Sequence, residues 1–235
     1  MRRHFFHITL MCLLCGATIF SQNNHYSISV FGSYTLSSKI FYNLEESSPS
    51  QRNQFLTIYD IFGIGFDIRR EFPQLGLELG LSIEYLETKR IFNYEISPSV
   101  QVPVTDGYRT IPIEINGYFL IPINLPGWKF KIGTGFGLYR GTRNYSYASV
   151  IPAKVNEKIG MGIQVITEVE YLLISKISLR TEIKFREIQF WTTERFKGDQ
   201  LIINENIIKL TEDNIKSKIS IDGMLISLGI VYYLD

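Results

Sequence analysis

The stretch Gly160–Tyr171 has the sequence GMGIQVITEVEY, in which apolar side chains alternate with polar or small ones. The mostly apolar positions are Met161, Ile163, Val165, Thr167, Val169 and Tyr171. Between them stand glycine, glutamine and glutamate, with the single exception of Ile166. Because successive side chains of a pleated strand point to opposite faces, this period of two residues predicts a β-strand with one apolar and one polar face.

The same alternation recurs along the chain and predicts three hairpins. Their paired segments are 62–69 with 77–85, 111–119 with 129–138, and 160–171 with 177–186. Two further strands are predicted at the chain ends, at about 25–35 and 218–234. These two can pair with each other, which would remove both free edges of the sheet.

The connections between these segments alternate in length. Short turns are predicted near 73–76, 124–127 and 174–176. Long polar stretches are predicted near 36–56, 92–107, 142–156 and 193–217. Short turns on one side and long loops on the other are typical of transmembrane barrels. The predicted fold is therefore all-β, a closed antiparallel transmembrane β-barrel of about eight strands.

Alternation alone does not say which face looks inward, since a soluble barrel would have its apolar face inside. Two observations favour an apolar exterior. Side chains just fill the lumen of an eight-stranded barrel, and the polar face here carries many small residues. Aromatic side chains also stand near the ends of segments, as interfacial girdles require; they are Tyr59, Tyr85, Trp128, Tyr171 and Trp191.

The N-terminal segment has the features of an export signal. Two arginines precede a short, mostly apolar run, Ile8 to Phe20, which is too short to cross a bilayer as a helix. We therefore expect residues 1–21 to be a signal peptide and residues 22–235 to form the barrel domain. Both cysteines, Cys12 and Cys15, lie in the signal, so the mature chain offers no disulfide or thiolate ligand.

The polar faces carry a nearly balanced set of charges. The predicted lumen ion-pair network comprises Asp67, Arg69, Glu78, Glu84, Glu114, Lys129, Lys131, Glu168, Glu170, Arg180, Glu182, Lys184, Arg186 and Asp222. An unpaired charge in a narrow lumen is costly, so these groups should find partners across the strands. They could plug the lumen or line a small ion-conducting path.

The sequence contains little that indicates catalysis or a cofactor. Glu168 and Glu170 share a strand face, but that spacing recurs wherever a polar lumen alternates with lipid-facing residues. After removal of the signal, His25 is the one histidine left, and it stands at the periplasmic start of the first strand. We expect no catalytic site, no cofactor and no metal site. The net charge of +1 also gives no basic footprint for nucleic acid.

The C-terminal residues resemble the terminal assembly signal of bacterial outer-membrane proteins. The matching positions are Ser227, Gly229, Tyr232 and Leu234. The stretches Tyr108–Ile113 and Lys131–Gly137 also look like the Ile-Pro strand and glycine-rich partner strand of outer-membrane β-barrel families, often called porin-family, of Bacteroidetes-like bacteria. The resemblance implies location in the outer membrane, contact with its lipid, and insertion by the barrel-assembly machinery.

These observations predict a structural or binding protein with a plugged lumen. Its extracellular loops would contact a protein partner that the sequence does not identify, and a partner in the periplasm is an alternative. The alternative is a small channel for ions or solutes. An enzyme of envelope lipids and an accessory barrel of a secretion machinery are further possibilities. Loop 193–217 contains an apolar patch that could either extend the last hairpin or dock a partner.

Overall fold

The computed structural model describes residues 25–42, 44–45, 47–97, 100–148, 150–198, 200–203, 206–209 and 214–234. Eight long antiparallel strands form a closed ring in these ranges, which confirms the predicted fold. The strands are β1 (His25–Phe41), β2 (Phe55–Phe72), β3 (Leu77–Ser97), β4 (Val100–Ile121), β5 (Trp128–Arg143), β7 (Ala153–Ile174), β8 (Ile177–Arg195) and β11 (Ile215–Leu234). The expected signal segment lies outside the described residues.

The ring closes through two kinds of neighbour. Most strands of the ring pair with the next long strand along the sequence. In addition, β1 pairs with β11, so the first and the last strand of the barrel are joined, as expected. The order around the ring is β3-β2-β1-β11-β8-β7-β5-β4, and β4 returns to β3. Every long strand thus has a partner on both sides, which satisfies the backbone hydrogen bonds that a lipid environment cannot.

Among the described residues, three short strands lie outside this ring, and one short α-helix is present. The strand β6 (Ser146–Tyr147) pairs with β4, while β9 (Gln200–Ile203) and β10 (Asn206–Lys209) form a separate hairpin. The helix α1 (Pro49–Arg52) lies between β1 and β2. In the described ranges, no helix has both the length and the apolar character to cross a membrane.

The turns at one end of the barrel are short, as expected. Pro73–Leu75 forms one 3₁₀ turn, and Gly76 ends it with a φ of 61°, a left-handed conformation that suits glycine. At the other end the strands extend further than predicted. Residues 92–97 and 100–107 belong to β3 and β4 and not to a loop, because the two strands stay paired well beyond the apolar belt. Likewise, β9 and β10 make part of 193–217 a hairpin.

The two faces of the wall differ as the alternation predicts. Outward positions of β7 such as Met161, Ile163 and Val165 are exposed, whereas Gln164 and Glu168 are buried in the lumen. The apolar residues therefore form an outer belt, and the buried charged residues of the strands lie inside. The short-turn end faces the periplasm in barrels of this kind.

Candidate functional site: the barrel lumen

The periplasmic half of the lumen is organised around one guanidinium group, that of Arg69 on β2. Its nitrogen atoms lie 2.9 Å from Asp67, 3.1 Å from Glu78 and 2.5 Å from Glu168, and it also contacts Glu182. The ring of Tyr118 stacks on the other side, 4.1 Å from the guanidinium carbon. One buried cation thus connects carboxylates from four strands, β2, β3, β7 and β8.

Lys131 of β5 and Arg180 of β8 complete this layer. The Lys131 ammonium lies 2.8 Å from Glu78, 2.9 Å from Glu168 and 3.3 Å from Glu170. Arg180 binds Glu170 at 3.2 Å and Asp67 at 3.1 Å. Each carboxylate of the layer therefore has at least one cation beside it, which is the condition for stable burial of charge.

A second charged layer lies further toward the extracellular end. Glu114 accepts hydrogen bonds from Tyr139 at 2.6 Å and Gln164 at 2.9 Å, and its carboxylate lies 3.2 Å from the Lys184 ammonium. Arg186 binds Glu84 at 3.1 Å. Amide and hydroxyl groups thus fill the spaces between the ion pairs, so the layer is a connected polar network.

Two of the predicted network residues lie elsewhere. Lys129 is half-exposed at the periplasmic mouth and pairs with Glu71 at 2.8 Å. Asp222 pairs with Lys39 at 3.3 Å, and both side chains are more than one-third exposed. The odd-numbered residues of β11 face the lumen, so Asp222 faces outward, opposite the exposed Glu187 of β8. Next to it, Ile219 and Ile221 face the lumen, so the apolar and polar faces of β11 are reversed at this level and the polar residue points outward.

The glycines of β5 leave space for these side chains. A Cβ atom on Gly135 would overlap the Asn116 amide and lie 2.8 Å from the carbonyl oxygen of Ile115. A Cβ atom on Gly141 would overlap the ring of Phe190. The alternating glycines therefore mark close packing in the lumen.

An apolar septum closes the lumen beyond the second charged layer, and the sequence analysis did not identify it. It comprises Ile40, Ile58, Ile61, Leu86, Tyr108, Phe190, Ile219 and Ile221, all at most 2% exposed. Tyr108 and Phe190 meet edge to face with ring centroids 6.1 Å apart. The sequence of β8 contained a signal for this septum. Ile188 and Phe190 follow Arg186 at alternate positions, so they were expected to face the lumen as Arg186 does.

A third polar cluster lies beyond the septum, outside the membrane-spanning part of the barrel. Arg143 binds both carboxylate oxygens of Asp106, at 2.8 and 2.5 Å, and donates to the Ser217 hydroxyl at 2.6 Å. Glu194 lies close by, and its Oε2 has no hydrogen-bond partner among the residues that the structure describes. Burial raises the pKa of Glu194 to about 7, and the nearby Arg143 opposes that rise only in part.

Within the described ranges, no group of three or more histidine, cysteine, aspartate or glutamate side chains is placed to hold a metal ion. The buried carboxylates already contact arginine and lysine side chains, as above. The network can therefore hold strands together and exclude water.

The residues of the predicted assembly signal lie along β11. Ser227 and Gly229 face the lumen, whereas Tyr232 and Leu234 point outward into the belt. Gly229 allows close approach to β1, since a Cβ there would lie 2.9 Å from that of Phe31.

Several solved outer-membrane proteins share this fold. The chain resembles OprG from Pseudomonas aeruginosa with a TM-score of 0.59 and 10% identity, over 90% of this chain and 95% of that one. It resembles a major outer membrane protein from Thermus thermophilus with a TM-score of 0.51 and 10% identity, over 91% and 100%. Neisserial surface protein A gives a TM-score of 0.50 and 11% identity, over 90% and 99%. No family model matches the chain, and no curated protein does.

Together, the fold and the apolar outer belt indicate that the chain lies in the outer membrane. This chain has the fold of bacterial outer-membrane β-barrels. At identities near 10% the likeness concerns the fold, and the activities of those proteins do not transfer to this chain.

Proposed function

We propose that this chain is a sealed outer-membrane barrel with a structural or binding role, whose extracellular hairpins contact a protein partner. The observation that carries the proposal is the continuous filling of the lumen. Two charged layers occupy its periplasmic part and the apolar septum lies beyond them. A hydrated ion would have to displace paired charges and then cross the septum without water, which costs several kcal/mol or more.

The extracellular side offers the contact surface. The β3–β4 hairpin extends past the belt and exposes Ile91 and Tyr94, whose side chains are 64% and 55% exposed. Rigid strands hold these groups in place, and binding residues concentrate on such extensions. We do not propose catalysis, because the buried carboxylates are engaged with cations. Insertion by the assembly machinery through β11, and kinship with barrels of Bacteroidetes-like bacteria, belong to the same proposal.

Planar-bilayer recording tests whether the barrel is sealed. We expect the wild-type chain to show no steady conductance. The variant Tyr108→Ala/Phe190→Ala removes both rings of the septum and should produce brief or small openings. Phe136→Ala removes an aromatic ring from the outer belt and is the matched control that should stay silent.

A small channel is the second candidate, and the charged lining of the lumen favours it. A reproducible wild-type pore whose ion selectivity changes in Glu168→Lys would establish the channel and overturn the sealed barrel.

A further inference from the structure

A pocket of about 410 Å³ opens at the periplasmic mouth of the lumen. Side chains of five strands line it: Glu71 of β2, Lys129 of β5, Glu170 of β7, Ser178 of β8 and Tyr233 of β11. The volume is within the range of sites for small organic ligands. Because the pocket lies at the end of the barrel opposite to the extracellular hairpins, its ligand would come from the periplasm.

Two backbone hydrogen bonds hold the open side of this pocket in place. The N–H of Leu172 donates to the carbonyl oxygen of Gly127 at 2.8 Å, which joins the end of β7 to the turn before β5. The N–H of Tyr233 donates to the carbonyl oxygen of Lys176 at 2.9 Å, which joins β11 to the turn between β7 and β8. The opening therefore has a backbone frame that does not depend on side-chain rotamers.

A pair of opposite charges crosses the opening. Lys129 Nζ donates to Glu71 Oε2 at 2.8 Å, and these two side chains are 34% and 18% exposed. The contact uses one of the three N–H donors of the ammonium group and one of the two oxygens of the carboxylate. Glu170, by contrast, is buried behind the pair and is engaged by Lys131 and Arg180. Lys129 and Glu71 are therefore the charges that a ligand in the pocket can reach.

The rest of the pocket offers apolar contact and one unused hydroxyl group. The Tyr233 ring centroid lies 5.0 Å from Lys129 Nζ, and the Tyr233 hydroxyl donates to Glu170, which holds the ring in place. The exposed side chain of Leu172 lines the same pocket. Ser178 is buried, and its Oγ has no hydrogen-bond partner among the residues that the structure describes. A buried hydroxyl without a partner is unfavourable, and a polar group in the pocket would relieve that cost.

We propose that this pocket binds an α-amino-acid centre, that is, an ammonium and a carboxylate on the same carbon atom, with an apolar side chain. The carboxylate contacts Lys129, the ammonium contacts Glu71, and the apolar side chain lies against Tyr233 and Leu172. The two charges of the pocket are adjacent, as are those of such a ligand, whereas a ligand with one charge would repel one member of the pair.

This role goes beyond the proposed contact on the extracellular side, and it does not depend on whether the lumen is sealed. Two kinds of periplasmic molecule present the same centre. One is a free amino acid, and the other is the diamino-acid end of a cell-wall peptide.

The indole group of Trp128, which also lines the pocket, provides the signal for a test. The chain has two tryptophans, so Trp191→Phe leaves Trp128 as the one indole N–H resonance in an NMR spectrum. The barrel is placed in phosphatidylcholine nanodiscs and titrated with leucine. We expect a saturable change in the chemical shift of this resonance, with half-saturation on the order of 1 mM.

Blocked ligands test the recognition of both charges in an unaltered site. N-acetyl-leucine lacks the ammonium and leucine amide lacks the carboxylate, so each should bind at least about tenfold more weakly than leucine. Glycine lacks the apolar side chain and should also bind about tenfold more weakly. A soluble cell-wall fragment with a free diamino-acid end distinguishes the two sources. Tighter binding than leucine would assign the cell wall, and weaker binding would assign the free amino acid.

Charge variants test the two residues of the pair. Lys129→Met and Glu71→Gln should each raise the half-saturation concentration of leucine by at least about tenfold. Lys39→Met is the matched control, because it breaks a similarly exposed pair, that with Asp222, near the other end of the barrel. This variant should leave the curve unchanged.

Three outcomes would overturn the proposal. The first is the lack of any saturable shift up to about 100 mM leucine. The second is equal affinity for leucine and N-acetyl-leucine, which would assign the pocket to the C-terminal carboxylate of a peptide. The third is equal weakening by Lys39→Met and Lys129→Met, which would mean that the shift reports the overall charge of the barrel and not a site.

Discussion

Arg69 of β2 and Glu168 of β7 meet inside the barrel, with Nη1 2.5 Å from Oε2, although their strands lie four steps apart around the ring of eight. Four steps is the full width of such a ring. The pair therefore connects opposite walls directly, and Arg186 of β8 does the same with Glu84 of β3. These cross-lumen pairs make the network a structural element of the closed barrel.

Removal of the Arg69 cation should destabilise the barrel strongly. In Arg69→Met, carboxylates on four strands lose a shared partner, and we expect a loss of about 3–5 kcal/mol in the free energy of unfolding. Urea titration in detergent micelles, followed by tryptophan fluorescence, measures it. Lys129→Met, which breaks the half-exposed pair at the periplasmic mouth, should cost no more than about 1 kcal/mol. Equal losses in the two variants would contradict a central role for Arg69.

Close packing of the lumen predicts opposite effects for two glycines. In Gly135→Ala the new methyl group overlaps the Asn116 amide, so we expect a loss of about 1–3 kcal/mol. In Gly32→Ala the methyl group meets nothing within 4 Å on the outer face, so unfolding stability should be unchanged or slightly higher. The same urea titration compares them, and a neutral Gly135→Ala would show that the lumen has unfilled space.

The free-energy cost of a charged side chain on the outer belt should depend on its depth in the membrane. Val165 lies near the middle of the outward positions of β7, and Val165→Arg should cost about 2–4 kcal/mol when the barrel folds into lipid vesicles. Val155 lies on the same strand beyond the girdle and is also exposed, so Val155→Arg should cost about 1 kcal/mol or less. A soluble, detergent-free Val165→Arg variant with native stability would refute the lipid-facing assignment.

The extracellular cluster should make stability depend on pH. The pKa of Glu194 is raised from its ordinary value of 4.5 to about 7, so the folded barrel binds the proton more tightly than the unfolded chain. This contribution is fully present below about pH 4.5 and is lost as the pH rises through about 7. Glu194 faces Arg143, Asp106, Lys154 and Glu157, and of these the carboxylates favour the protonated form.

The matched variant for this effect is Glu194→Gln, which keeps the shape of the protonated side chain. The unfolding free energies of the wild type and of Glu194→Gln are measured from about pH 4 to 8. As the pH rises, the wild type should lose up to about 3 kcal/mol of stability relative to the variant. A difference that stays constant across this range would mean that Glu194 titrates normally.

Local pattern was sufficient for the wall of the barrel. The alternation in Gly160–Tyr171 and its neighbours determined the strands, their apolar and polar faces and the short turns, because the orientation of a side chain on a strand depends only on its position in the two-residue repeat. The same parity placed Arg69, Glu168 and most of the other predicted network residues in the lumen. The assumption that the polar face always looks inward failed at Asp222, because the apolar septum residues Ile219 and Ile221 occupy the lumen face of β11 at that level.

Closure of the ring decided the rest. Which charges meet depends on the number of strands, their stagger and the diameter, so the contact of Arg69 with Glu168 is not encoded in either segment alone. The septum is likewise assembled from residues of β1, β2, β3, β4, β8 and β11 that become neighbours only across the lumen. The sequence by itself therefore determined the faces of the wall, and the tertiary structure determined the partners inside it.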